Sequence, residues 1–243
     1  MKNLIYLLLL SMTIPSCKKE EARQVNQYTI EQFYTNTRFE GGTFSADETR
    51  LLVGSDETGI FNLYEITLAD GAKKQLTTST VESYYPVDYV PGMSALIYSA
   101  DKGGNEIDHL YLLEDNGKTT DLTPGENNKV SFFKWSEDKK SMFYISNIRD
   151  PKYFDVYKMN IGEWIPTLFY ENKSGLDVNE ISDDEKTLVV SKTVTTSENE
   201  LYLVNKETGT QTELSLPDQK GRYGVSGISK DSKYVFYLTD GGK

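Results

Sequence analysis

The chain has 243 residues, with 26 Lys and Arg against 37 Asp and Glu, one His and one Cys. A net charge of −11 without a basic cluster excludes nucleic acid as a partner, because binding phosphates requires clustered Lys and Arg to displace counterions. One cysteine excludes an internal disulfide and a thiolate zinc site, one histidine excludes a two-histidine metal site, and 17 Tyr is a β-rich inventory.

Residues 1–16 read as a secretion signal: Lys2 is the only charge, Leu4–Leu10 is an apolar run, and small Ser16 precedes Cys17. The run is too short to span a bilayer, which takes about 20 apolar residues. The tetrad Ile14-Pro15-Ser16-Cys17 resembles the lipobox of bacterial lipoproteins. That resemblance implies cleavage before Cys17, acylation of it, and an outer-membrane lipid as partner. Each buried methylene contributes about 0.8 kcal/mol, so two or more acyl chains hold a protein stably. Residues 17–35 form a tether and lead-in. Within it, Lys18-Lys19-Glu20-Glu21 reads either as a surface-export signal or as a solvated tether. The mature chain then carries 25 basic side chains against 37 acidic ones.

Residues 36–243 repeat. Phe44-Ser45-Ala46-Asp47, Trp135-Ser136-Glu137-Asp138, Ile181-Ser182-Asp183-Asp184 and Ile228-Ser229-Lys230-Asp231 each precede an apolar run, and Val90-Pro91-Gly92 is a degenerate copy. The spacings from Ser45 through Pro91, Ser136 and Ser182 to Ser229 are 46, 45, 46 and 47. A hydrophobe-Tyr pair follows at Leu63-Tyr64, Leu110-Tyr111, Val156-Tyr157 and Leu201-Tyr202. A last strand signal centres on Leu76, Leu122, Leu168 and Leu214, with Thr77, Thr123 and Ser215 beside three of them. Turns such as Asp70-Gly71 and Asn116-Gly117 separate these runs.

Four short strands per unit of about 40–50 residues define an all-β fold, a β-propeller of four-stranded blades. The rival, a parallel-strand solenoid, has shorter coils and no hairpin turns. Blades start near 44, 90, 135, 181 and 228, so about four to five are present. The last is expected to be truncated after one strand, with Tyr28–Phe39 as its one candidate partner. The reading is of an incomplete ring in a longer polypeptide.

Several of these segments resemble the propeller of prolyl oligopeptidase family serine peptidases: Thr29–Tyr34, Ser55–Tyr64, Gln75-Leu76-Thr77, Asp121–Gly125 and Arg149–Tyr157. Tol-associated periplasmic propellers share the single-blade motifs. Where such turns often place glycine after the Asp, this chain has Glu48, Lys139, Glu185 and Ser232. The resemblance implies a propeller that admits oligopeptides to an α/β-hydrolase domain, and no residue here carries over as catalytic.

Residue chemistry points the same way. A nucleophile elbow needs Gly-x-Ser-x-Gly between strand and helix, and Gly224-Val225-Ser226-Gly227-Ile228 lacks the last glycine. His109 reads as a structural histidine, since its neighbour Asp108 points to the opposite strand face. Asp101, Glu106 and Asp108 do not match a calcium-loop spacing. The Ser-x-Asp turns, including Asp183-Asp184-Glu185, read as short polar side chains bonding adjacent backbone. No cofactor is expected. Two functions remain open: the gating segment of a cell-envelope serine peptidase, or a non-catalytic propeller lipoprotein that binds a protein or ligand.

Overall fold

The computed structural model describes residues 25–241, so the signal segment, Cys17 and the Lys18–Glu21 stretch lie outside the described residues. Residues 25–36 belong to a small unit of their own. It holds one helical turn, α1 (Ile30–Tyr34), closed by a capping box in which Thr29 Oγ1 accepts from the Gln32 N–H and Gln32 Oε1 accepts from the Thr29 N–H. The Thr-x-x-Gln signature explains why Tyr28–Phe39 does not supply the last blade's strand.

From Thr37 onward the chain is antiparallel sheet. The first blade is β1 (Phe39–Phe44), β2 (Arg50–Ser55), β3 (Asn62–Thr67) and β4 (Lys73–Gln75). The second is β5 (Tyr85–Tyr89), β6 (Ala95–Ala100), β7 (His109–Glu114) and β8 (Thr119–Asp121). The third is β9 (Val130–Trp135), β10 (Ser141–Asp150), β11 (Tyr153–Asn160) and β12 (Pro166–Tyr170). The fourth is β13 (Asp177–Ile181), β14 (Thr187–Thr193), β15 (Asn199–Asn205) and β16 (Gln211–Glu213). A two-stranded fifth sheet pairs β17 (Tyr223–Ile228) with β18 (Val235–Thr239).

That pairing corrects the expectation of an unpartnered last strand: β18 has β17 beside it. The repeat markers fall in the turn between the first and second strands, so each blade's first strand precedes its marker. Every first strand carries a bulge, between Glu40 and Thr43, Pro86 and Asp88, Phe132 and Lys134, Val178 and Glu180, and Val225 and Gly227. An extra residue at one repeat position tightens the local twist and re-aims the side chains beyond it. In the first blade the bulge needs glycine. Gly41 has φ 68°, and a Cβ there would come within 2.8 Å of Pro86 on β5.

Packing follows strict alternation along the second strands. Leu96, Met142, Leu188 and Val235 face the preceding blade, while Leu52, Ile97, Phe143 and Val189 face the following one. A strand buried on both faces has no polar positions to alternate with, which is why these runs read as unbroken apolar stretches. The interblade cores hold Leu52, Ile97, Met142, Leu188 and Val189 at 0% exposure. Burying such a side chain contributes about 1.5–3 kcal/mol.

Candidate functional site

The Ser-x-Asp turn is built identically four times. The hydroxyls of Ser45, Ser136, Ser182 and Ser229 each accept from the N–H five residues on, at 3.0 Å. They donate to Asp47, Asp138, Asp184 and Asp231 at 2.6–2.7 Å. These hydroxyls are spent on their own turns. Ser45 and Thr49 hold the Asp47 carboxyl down to about 2, and the serine hydroxyls likewise lower Asp138, Asp184 and Asp231. The next residue takes the left-handed conformation: Glu48, Lys139, Glu185 and Ser232 have φ of 54–59°. These are the four positions where glycine was missing. In the degenerate turn Gly92 takes φ 71°.

A second recurrent position stands directly before the hydrophobe-Tyr pair, and it contains the histidine. Asn62 grips Ser79 through Nδ2 to the carbonyl at 3.0 Å and through the N–H to Oδ1 at 2.7 Å. Asp155 accepts from the Asn172 N–H at 2.7 Å. His109 does the same for its own blade, Nε2 meeting the Gly125 carbonyl at 2.9 Å and Nδ1 meeting Asp121 at 2.8 Å. Each anchor holds the segment leaving the blade's last strand. The His109 side chain is buried, and both ring nitrogens are engaged within its own blade. Its carboxylate partner is Asp121, not the adjacent Asp108.

Sequence reasoning missed Asn62 and Asp155 as equivalents of His109. Their spacing in the repeat, always one residue before Leu63, Leu110 and Val156, is the signal that finds them. Thr77, Thr123 and Ser215 complete the set by accepting the backbone N–H of Leu63, Leu110 and Leu201 at 2.9, 2.9 and 3.3 Å. The third blade substitutes an ion pair. Arg149 reaches Asp155 with two bonds of 2.6 and 2.9 Å and the Asn172 carbonyl at 3.2 Å, and Asp155 is fully buried.

The first strands are joined from blade to blade by polar side chains. Asp88 accepts from Thr43 Oγ1 at 2.8 Å and from Trp135 Nε1 at 2.9 Å, tying three blades together. Lys134 donates to Glu180 at 2.7 Å and to the Ile181 carbonyl at 3.0 Å. Between the fourth blade and the fifth sheet the link comes instead from a third strand, Asn199 of β15 donating to the Tyr223 carbonyl at 3.0 Å. These polar contacts supplement the apolar interblade cores along the row of bulged strands.

The remaining sequence candidates are not brought together. Ser226 lies on β17 at the bulge, followed by a turn and β18 rather than by a helix. Asp101 accepts from the Glu106 N–H at 2.8 Å within its own loop. Glu185 pairs with Lys158 of the third blade at 2.7 Å. Among the described residues, no group of three or more His, Cys, Asp or Glu is placed to hold a metal.

The repeat, the four-stranded sheets and the interblade cores define a β-propeller domain. The model of the prolyl oligopeptidase N-terminal β-propeller domain matches residues 87–242, and the chain belongs to that family. Among curated proteins, none matches the chain. Among solved structures, a chain from a study of two prolyl endopeptidases is 18% identical with a TM-score of 0.59, covering 84% of this chain and 32% of that one. TolB from Acinetobacter baumannii is 15% identical with a TM-score of 0.55, covering 84% of this chain and 54% of that one. A puromycin-hydrolyzing peptidase of Mycobacterium tuberculosis gives 15% identity and a TM-score of 0.55, over 84% and 38%. Identities this low speak for the fold alone. The chain thus spans about half the length of TolB and a third of the prolyl endopeptidase.

Proposed function

We propose that this chain is the substrate-gating propeller segment of a cell-envelope serine peptidase acting on oligopeptides, with the α/β-hydrolase domain encoded beyond it. The family match from β5 to β18 carries this reading. The fifth blade supports it: Phe236, equivalent in the repeat to the buried Leu52, Ile97, Phe143 and Val189, is 56% exposed, and Leu238 on the same strand face is 76% exposed. A face of that composition is suited to one more blade. The protein's attachment to the outer membrane through an acylated Cys17 is part of the same proposal. Among the described residues no helix is long and apolar enough to cross a membrane.

A second reading, which the fold likeness to TolB also fits, is a propeller lipoprotein without an enzyme domain that binds a protein or ligand in the envelope. Sequencing the gene beyond Lys243 separates the two. A Gly-x-Ser-x-Gly motif followed by Asp and His is the expected result. A stop codon after further blades alone would establish the second reading. For the anchor, a Cys17→Ser variant is expected to leave the membrane fraction, and an unchanged membrane fraction would overturn that part.

A further inference from the structure

The crevices between successive blades are not filled alike. Between the second and third blades, Ile161 and Trp164 from the β11–β12 turn pack onto the interblade core. Between the third and fourth, Lys206 lies over the Phe169 ring at 4.1 Å and Lys158 bonds Glu185. Cavities of about 580 and 420 Å³ still lie between the second and third blades, the larger one lined mainly by the charged Asp138, Lys139, Lys140 and Lys158. Between the first and second, the corresponding turn is Asp115-Asn116-Gly117, and it lines a cavity of about 410 Å³. Its apolar lining is Leu76, Leu96 and Leu113, part of the core shared by those two blades.

The charges around this lining are of both signs. Glu65 pairs with Arg50 at 3.0 Å and accepts from the Tyr89 hydroxyl at 3.0 Å, and the Arg50 guanidinium covers the Tyr89 ring. Lys74 of the first blade, across from Glu65 in the β3–β4 register, and Glu114 and Asp115 of the second blade also line the cavity. Lys118 meets Glu114 at 3.5 Å, and among the described residues Lys74 and Asp115 have no ion pair. A sugar finds no stacking platform here, because the Tyr89 face is occupied by Arg50. A polyanion meets one unpaired cation beside three carboxylates.

We propose that the crevice between the first and second blades binds a short peptide with free termini and aliphatic side chains. The carboxylate is met by Lys74, the amine by Asp115, and the side chains by the three leucines. Pockets of roughly 300–1,000 Å³ with an apolar lining and a few convergent polar groups are the usual form of small-ligand sites. The proposal does not rest on the peptidase reading, since a gene without a hydrolase domain would end that reading and leave this site intact.

The test is calorimetric titration of the full chain with the tripeptide Leu-Leu-Leu, and with the same peptide acetylated and amidated. The free tripeptide is expected to bind saturably, and blocking its termini to weaken binding about tenfold, the worth of one charged contact. Lys74→Ala and Asp115→Ile, the latter installing the third blade's residue, are each expected to weaken the free peptide severalfold while leaving the melting temperature in place. Equal affinity for free and blocked peptides, unchanged affinity in both variants, or no saturable binding at millimolar peptide would each overturn the proposal.

Discussion

The fourth and fifth blades are built from the same repeat and meet different surroundings on one face. Val189 of β14 is fully buried against β17, while its counterpart Phe236 of β18 stands more than half exposed. On the other face the two agree: Leu188 packs toward the third blade and Val235 toward the fourth. The strand sequences are alike in apolar character, so the difference lies in the neighbour and not in the strand. A blade contributes half of each interblade core, and its worth depends on the other half.

The largest test of that comparison is a pair of truncations followed by urea denaturation. Phe143→Ala removes a ring at 1% exposure, packed edge-on against Phe169, and is expected to cost about 3–5 kcal/mol. Phe236→Ala is expected to stay within about 0.5 kcal/mol, as a surface substitution does. A cost near that of Phe143 would mean that the fifth blade's face is covered in this chain. Next in size, Arg149→Leu leaves the buried Asp155 carboxylate without its cation and is expected to lower the urea midpoint clearly, though by less than a fully buried pair would, because the guanidinium is 30% exposed. Loss of Arg38 beside Asp56, where the arginine is 67% exposed, is expected to shift the midpoint far less.

A smaller effect of opposite sign distinguishes the turns. Lys139 holds φ 58° without an ion pair among the described residues, so Lys139→Gly relieves left-handed strain of about 1 kcal/mol and raises the melting temperature. The same change at Glu185 also breaks its bond to Lys158, so its gain is expected to be smaller. The smallest effect is in pH. The carboxyls of Asp47, Asp138, Asp184 and Asp231 are lowered in the folded chain by serine hydroxyls, so the stability they contribute is complete above the unfolded aspartate range. It is lost as pH falls through the folded values, about 2 for Asp47. Thermal melts between pH 5 and 2 are expected to show a shallower decline in Ser45→Ala than in the parent.

The propeller was legible in the sequence because its second and third strands are buried on both faces and recur every 46 residues or so. The first strands were harder to read. Phe39–Phe44 contains Gly41-Gly42, and Tyr223–Ile228 contains Gly224 and Gly227, a composition with weak strand preference that only packing against neighbours decides. That is why β18 had no partner on paper. The turn serines and the structural character of His109 were legible from recurrence and strand alternation. The partners of His109 were not, since Asp121 and Gly125 lie 12 and 16 residues away and reach the ring only once β7 and β8 are in register. The crevice between the first and second blades was likewise invisible, because its lining comes from separate strands of two blades that only packing brings together.

The proposed gating role places the catalytic serine in a part of the protein other than residues 1–243. Its most direct test is labelling with a fluorophosphonate, on the product of the whole gene and on this chain alone, with the modified residue mapped by mass spectrometry. The account predicts a labelled serine beyond residue 243 in the whole product, together with cleavage of proline-containing peptides, and no label on the isolated chain. A labelled residue within this sequence, Ser226 included, would contradict it.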